Sequence, residues 1–268
     1  MGKALQVISG FVTAPSTTYT AWTMGAGDSL AVRNAPEGSM ISLLDMWADN
    51  QAAGQLRVRS PLLHDNVQGI NANIVASEVL PLMNGFVGQM LRPQDLLIVE
   101  QTGSATSADI ESGALLVYWA DLPGAAAKLA TFEQIRGRIE SYMYVTNTLA
   151  LGTAGGYSGE EAINAEVDQW KANRDYALLG YLVSAECCTV GWRGSDTSNL
   201  RVAGPGNELR RDITARWFVD LSRNFGLPLI PIFNAANKSA ILIDGVQDEN
   251  GTDVLVTSIF GLLTGMFS

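Results

Sequence analysis

A single histidine, His64, and two adjacent cysteines, Cys187 and Cys188, are all that a chain of 268 residues offers for the commonest nucleophile, base and soft-metal chemistry. A Ser-His-Asp or Cys-His system would have to use His64, which lies in a Pro-Leu-Leu-His-Asp loop with no nucleophile motif beside it. The multi-histidine metal sites of cupin-type sandwiches need several imidazoles, and one cannot supply them. Neighbouring residues of a strand point to opposite faces, so a Cys187–Cys188 bridge would need a strained ring. Two reduced, packed thiols are expected instead, as suits a reducing cytosol. Basic residues are also scarce, 17 against 27 acidic ones for a net charge of -10, and the deficit is shared evenly by the two halves. Without a cationic lobe or tail to displace counterions from phosphates, direct nucleic-acid binding is not expected.

Charged residues make up only 16% of the chain, whereas typical soluble domains carry about 25%. So little surface charge implies that much of the exterior is covered by other copies or partners. No apolar run approaches the roughly 18 residues of a membrane-spanning helix. The N-terminal segment, with one lysine and no long apolar core, does not read as a secretory signal.

Other catalytic signatures are missing too. There is no G-x-x-x-x-G-K-S/T phosphate loop, and Gly25-Ala26-Gly27-Asp28 lacks the third glycine and the strand-to-helix setting of a dinucleotide fold. Gly155-Gly156-Tyr157-Ser158-Gly159 does not fit G-x-S-x-G. Asp244, Asp248, Asn250 and Asp253 crowd one late hairpin without the spacing of a calcium loop; acidic turn residues are common there, and whether a metal binds stays open. No carboxylate pair stands out for glycoside hydrolysis. No catalytic, cofactor-binding or metal residue is assigned, and the chain is not expected to be an enzyme.

What is present is a repeat. Leu56-Arg57-Val58 with Pro61 returns as Leu200-Arg201-Val202 with Pro205, and Leu80-Pro81-Leu82 with Phe86 as Leu227-Pro228-Leu229 with Phe233. Leu96-Leu97-Ile98-Val99-Glu100 returns as Ala240-Ile241-Leu242-Ile243-Asp244, and each half closes on an apolar run, 114–122 and 254–263. Any one such match arises by chance; four in one order at nearly constant offset point to two tandem domains of one fold.

Short apolar or alternating segments separated by Gly, Pro, Asn and Ser predict strands at 5–13, 29–33, 40–48, 55–59, 79–86, 95–101 and 113–121. The second half repeats them at 139–146, 176–185, 188–193, 199–203, 227–233, 239–245 and 253–263. Such spacing suits antiparallel sandwiches. Ser158 and Glu161 form an S-x-x-E capping box that predicts a helix over 159–172, with Ala162, Ile163, Val167 and Trp170 on one side. A second helix is predicted over 207–225, where Leu209, Ile213, Trp217, Leu221 and Phe225 recur at four-residue steps and Gly226 with Pro228 stops it. Its Arg210, Arg211, Arg216 and Arg223 fit a solvated face with Asp212 and Asp220 as partners better than a phosphate or partner site. The matching stretch 65–78, richer in Asn, Val and Gly, is a weaker helix candidate. The expected division is a first sandwich over 1–122, a Pro-Gly-Ala linker over 123–136 and a second sandwich over 137–268.

Two tandem all-β domains of this size, each an eight-stranded jelly roll, the second with inserted helices, in an acidic and catalytically bare chain, resemble the double jelly-roll major capsid proteins of tailless icosahedral viruses. The resemblance spans nearly the whole chain but rests on duplication, strand spacing and size, with no family-specific motif. It implies a structural virion protein, assembled in the host cytoplasm, whose homotrimers form pseudo-hexagonal tiles of an icosahedral shell. It implies as partners neighbouring capsomers, minor or vertex capsid proteins and, where the shell encloses one, an internal membrane. It implies no cofactor. The competing reading is a tandem sandwich binding module, a lectin-like or viral spike or adhesin protein, with residues such as Tyr19 and Trp22 stacking on sugar.

Overall fold

The computed structural model describes residues 2–25, 37–63, 65–83, 88–150, 155–158, 160–163, 169–247 and 253–267. In the first half the strands are β1 (Gly2–Thr13), β2 (Thr20–Ala21), β3 (Thr23–Met24), β4 (Ile41–Asp49), β5 (Gly54–Arg59), β6 (Ile70–Ile74), β7 (Gln89–Leu91), β8 (Ile98–Gln101) and β9 (Ile110–Leu122). They pair in two antiparallel sheets, β3-β1-β9-β4-β7 and β2-β8-β5-β6. Next come β10 (Leu129–Ala130) and helix α1 (Phe132–Ile135). The second half follows with β11 (Ile139–Leu149), β12 (Glu161–Ala162), β13 (Asp175–Val183), β14 (Cys187–Arg193) and β15 (Val202–Gly206). Helices α2 (Arg211–Thr214) and α3 (Trp217–Phe225) precede β16 (Ile230–Asn234), β17 (Leu242–Val246) and β18 (Val254–Leu263). Their sheets run β10-β16-β13-β18-β11 and β12-β17-β14-β15.

Setting aside the edge additions β3 and β10, each half has eight strands that pair in one order, first-eighth-third-sixth in one sheet and second-seventh-fourth-fifth in the other. Two nested Greek keys of this kind make a jelly roll. The chain is therefore two tandem jelly rolls, and the late repeat blocks mark equivalent strands: Ile98–Glu100 lies in β8 and Leu242–Asp244 in β17, its counterpart. The L-R-V blocks do not. Leu56–Val58 lies in β5, the fourth strand, whereas Val202 opens β15, the fifth, so that match is accidental. A half-buried strand constrains only the alternation of its residues, and three of them in a row recur easily.

Several expected elements changed. Residues 70–74 form a strand paired with β5 rather than part of a helix, and 79–83 carry no strand. Residues 29–33, 84–87 and 164–168 lie outside the described residues. The helix expected over 159–172 gives way to β12, where Glu161 and Ala162 pair with Ile243 and Leu242. Ser158 caps no helix there: its hydroxyl accepts the Gly245 N–H and its own N–H donates to the Gly245 carbonyl, which ties the segment to β17. The helix expected over 207–225 is shorter and broken at Ala215–Arg216, and it leaves Leu209 82% exposed. Asn207 is the cause, since its side-chain oxygen takes the N–H groups of Leu209 and Arg210 and turns the chain before the helix starts. Within the stretch expected to be a linker, Leu129 and Ala130 pair with Pro231 and Ile230.

The core follows from which sheet faces are covered. Along β9, Leu115, Val117 and Trp119 point into the first sandwich with Ile8, Leu43 and Val58, while Ala114, Leu116 and Tyr118 point the other way and are equally buried. A strand covered on both sides reads as a continuous apolar run, as Ala114–Trp119 does. Along β11 only Met143, Val145, Asn147 and Leu149 are buried, and the residues between them are exposed. That edge strand has one solvated face, whereas β13 and β16 of the same sheet are buried along nearly their whole length.

Candidate functional site

The doubly buried sheet of the first roll lies against the second roll's β17-β14-β15 sheet. Leu5, Val7, Leu44, Trp47 and Leu116 join Val190, Trp192 and Val202 in one apolar cluster. The Trp47 indole N–H donates to the Cys188 carbonyl at 2.8 Å, and the Val7 N–H to the Arg201 carbonyl at 2.8 Å. Val79 is held twice, its N–H by Glu186 and its carbonyl by Asn207. The rolls thus meet face to opposite face, the sheet of first and eighth strands in one against the sheet of second and seventh strands in the other.

On that second type of sheet each roll builds the same cluster. In the first roll the Arg57 guanidinium lies 3.5 Å from the centre of the Tyr19 ring and 2.7 Å from a Glu100 oxygen. In the second, Arg201 lies 3.7 Å from the centre of the Tyr157 ring and 2.7 Å from an Asp244 oxygen. Arg57 is directly opposite Glu100 in the β5–β8 ladder, but the residue opposite Asp244 is Gly191. A glycine there leaves room for Arg201 to reach over from the segment leading into β15. Hydrogen bonds from Arg59 and then Arg57 hold the Glu100 carboxyl below its usual range against the opposing effect of burial. A planar cation between a ring face and a carboxylate is a rigid, oriented surface element.

In the second roll this cluster lies in the contact between the halves. Ser9 of β1 donates to the Tyr157 hydroxyl, and the Val7 bond lands on the carbonyl of Arg201 itself. In the first roll it stands on the outer face, where Tyr19 also bonds Gln55 and the exposed Asn71.

The sequence candidates fall elsewhere. His64, Asp248 and Asn250 lie outside the described residues. Asp244 is engaged by Arg201, and among the described residues no group of three or more His, Cys, Asp or Glu could hold a metal ion. Cys187 and Cys188 are both buried thiols rather than a disulfide. Tyr19 is half-buried under Arg57, and Trp22 is tucked against Gly10 and Gly113 with its N–H on Gln101. Arg210 and Arg216 pair with Asp212 and Asp220, and Arg223 covers the Phe132 ring. An open groove of about 420 Å³ bordered by Ser16, Gln55, Asn73 and Thr102 has no titratable side chain in its lining. The clusters were missed as sites although Arg57, Arg201, Glu100 and Asp244 all belong to repeat blocks; their arginines looked like strand markers.

No protein-family model matches the chain, and no curated protein does. One solved structure with detectable likeness is titled as the PBSX exported protein XepA: it is 12% identical, the match covers 95% of this chain and 86% of that one, and the TM-score is 0.27. A likeness of that size carries no argument.

Proposed function

We propose that the chain is a major capsid protein whose trimers form pseudo-hexagonal tiles of an icosahedral shell. The observation that supports this is the packing of two jelly rolls of one strand order, the first-and-eighth-strand sheet of one on the second-and-seventh-strand sheet of the other. Two similar domains per chain give six similar edges from three chains, and hexagonal tiles fill a facet without gaps. The low charge and the lack of a basic lobe suit a shell protein that leaves the genome to other components. On this reading the chain performs no catalysis, needs no cofactor, assembles in the host cytoplasm and resides in the virion beside minor and vertex proteins.

The lectin-like alternative relied on exposed aromatic rings, and Tyr19 and Trp22 are both engaged within the fold. The test is the solution mass of the purified chain, followed by electron microscopy. The expected result is a species of three times 28.6 kDa that forms tiles or closed particles. A chain that stays at single mass at every concentration overturns the proposal.

A further inference from the structure

We infer that the groove bordered by Ser16, Thr17, Gln55 and Asn73 in the first roll binds an uncharged saccharide. This goes beyond the assembly reading and does not depend on it, since every lining residue belongs to one roll of one chain.

The groove lies at one end of that roll, where β1 has ended, β5 begins, β6 ends and β8 has given way to Thr102 and Gly103. Its volume of about 420 Å³ falls within the roughly 300 to 1,000 Å³ of small-ligand sites. Its backbone frame is fixed before any ligand arrives. The Gly103 N–H donates to the Ser16 carbonyl at 3.0 Å, and the Ser16 N–H to the Ser104 carbonyl at 2.9 Å. Thr102 and Gln55 hold each other, the Thr102 N–H on the Gln55 carbonyl and the Gln55 N–H on the Thr102 hydroxyl, both at 2.9 Å. A site that needs no ordering on binding loses less affinity to entropy.

The side chains are ordered as well. The Asn71 amide donates to the Tyr19 hydroxyl at 2.7 Å, that hydroxyl to the Gln55 side-chain oxygen at 2.6 Å, and the Gln55 amide to the Asn73 side-chain oxygen at 3.1 Å. Each bond polarises the next. The relay ends on the Asn73 amide N–H groups, which have no acceptor among the described residues. The Ser16 and Thr17 hydroxyls of the lining are likewise unbonded among them.

Hydroxyls and amides both give and take hydrogen bonds, which is the pattern that the hydroxyl groups of a sugar ring present. A phosphate or carboxylate ligand would call for a cation in the lining, and a cationic ligand for a carboxylate. The lining has neither, and a net charge of -10 repels anions further. A flat apolar ligand would call for aromatic rings, and none lines the groove. Without a ring to stack on, the affinity expected is in the millimolar range.

The test is saturation-transfer NMR on the purified chain with lactose, maltose and N,N′-diacetylchitobiose, and with sialyllactose as the anionic comparison. Transfer to at least one neutral disaccharide is expected at millimolar concentration, with sialyllactose bound no better than lactose. Thr17→Val and Asn73→Leu, both at exposed positions, each remove bonding groups from the groove and should weaken binding about five- to tenfold. Thr146→Val, at an exposed position on β11 of the other roll, should leave it unchanged. Each variant is checked for an unchanged melting temperature, and Ser16→Ala replaces one that fails to fold. Absence of transfer to every neutral disaccharide, transfer that both groove variants leave intact, or a preference for sialyllactose over lactose overturns the inference. None of these outcomes bears on the solution mass, so the capsid reading stands or falls separately.

Discussion

Trp47 and Trp217 meet edge to face, with ring centroids 5.7 Å apart and planes at 87°. One comes from β4 of the first roll, the other opens α3 in the second, so the pair spans the seam between the halves. Both indole N–H groups are satisfied by main-chain carbonyls, Trp47 on Cys188 and Trp217 on Ala203. Buried tryptophans with their polar edges bonded contribute area without an orphaned donor.

Truncation of Trp217 to Ala should therefore cost about 3 to 5 kcal/mol, from lost burial and from the cavity left behind. The pair adds its own term. In a double-mutant cycle with Trp47→Ala, the two losses should fall short of additive by about 0.5 to 1.5 kcal/mol. Urea unfolding of the parent, both single variants and the double variant measures it; full additivity would show that the seam does not depend on this contact.

The two Tyr-Arg-acid clusters should differ in what they contribute. Asp244 is only 2% exposed, and removing its guanidinium by Arg201→Ala breaks a buried ion pair, a loss of about 3 to 5 kcal/mol. Arg57→Ala leaves Glu100 its contact with Arg59, and roughly 1 kcal/mol is expected. The check is the shift of the urea midpoint at constant slope. Equal losses in the two variants would contradict the assignment of the second cluster to the seam.

Asp45 sits at a bulge in β4, where burial pushes its pKa from 3.8 up to about 6 against the opposing N–H groups of Met83, Met46 and Leu82. The folded protein thus binds this proton more tightly than the unfolded chain. The resulting stability is fully present below pH 3.8 and is lost as pH rises through about 6. The shift corresponds to about 3 kcal/mol at 1.36 kcal/mol per pH unit. Asp45→Asn, which cannot ionise, should flatten the melting temperature between about pH 4 and 6 relative to the parent. Parallel curves in that interval would assign the pH dependence to other groups.

Gly180, at the bulge of β13, faces the backbone of α2. A methyl group there would meet the main-chain atoms of Thr214 and Ala215, which have no flexible end to swing aside. Gly180→Ala should cost about 1 to 3 kcal/mol through overpacking and loosen the helical segment from the sheet. Hydrogen exchange over 211–225 reads the loosening directly; protection equal to the parent would mean that the helix shifts without loss.

Strand content and duplication were readable because burial on two faces or on one leaves a direct pattern, continuous in Ala114–Trp119 and alternating in Met143–Leu149. The late blocks Leu96–Glu100 and Ala240–Asp244 carried the correct pairing of the halves, since an apolar run closed by an acid falls on the seventh strand of both rolls, Ile98–Gln101 and Leu242–Val246. Register and partner choice were not readable. Arg57 lies in β5 and Arg201 just ahead of β15, in the same three-residue motif at non-equivalent places in the fold, yet their guanidinium groups reach equivalent positions, because Gly191 vacates a position that only the folded sheet sets opposite Asp244. Ser158 and Glu161 spelled a helix start, but the hydroxyl found the backbone of β17, a partner 87 residues away. Local pattern determined which residues seek burial and with what period; the tertiary structure decided which faces meet, because that choice rests on contacts between residues far apart in the chain.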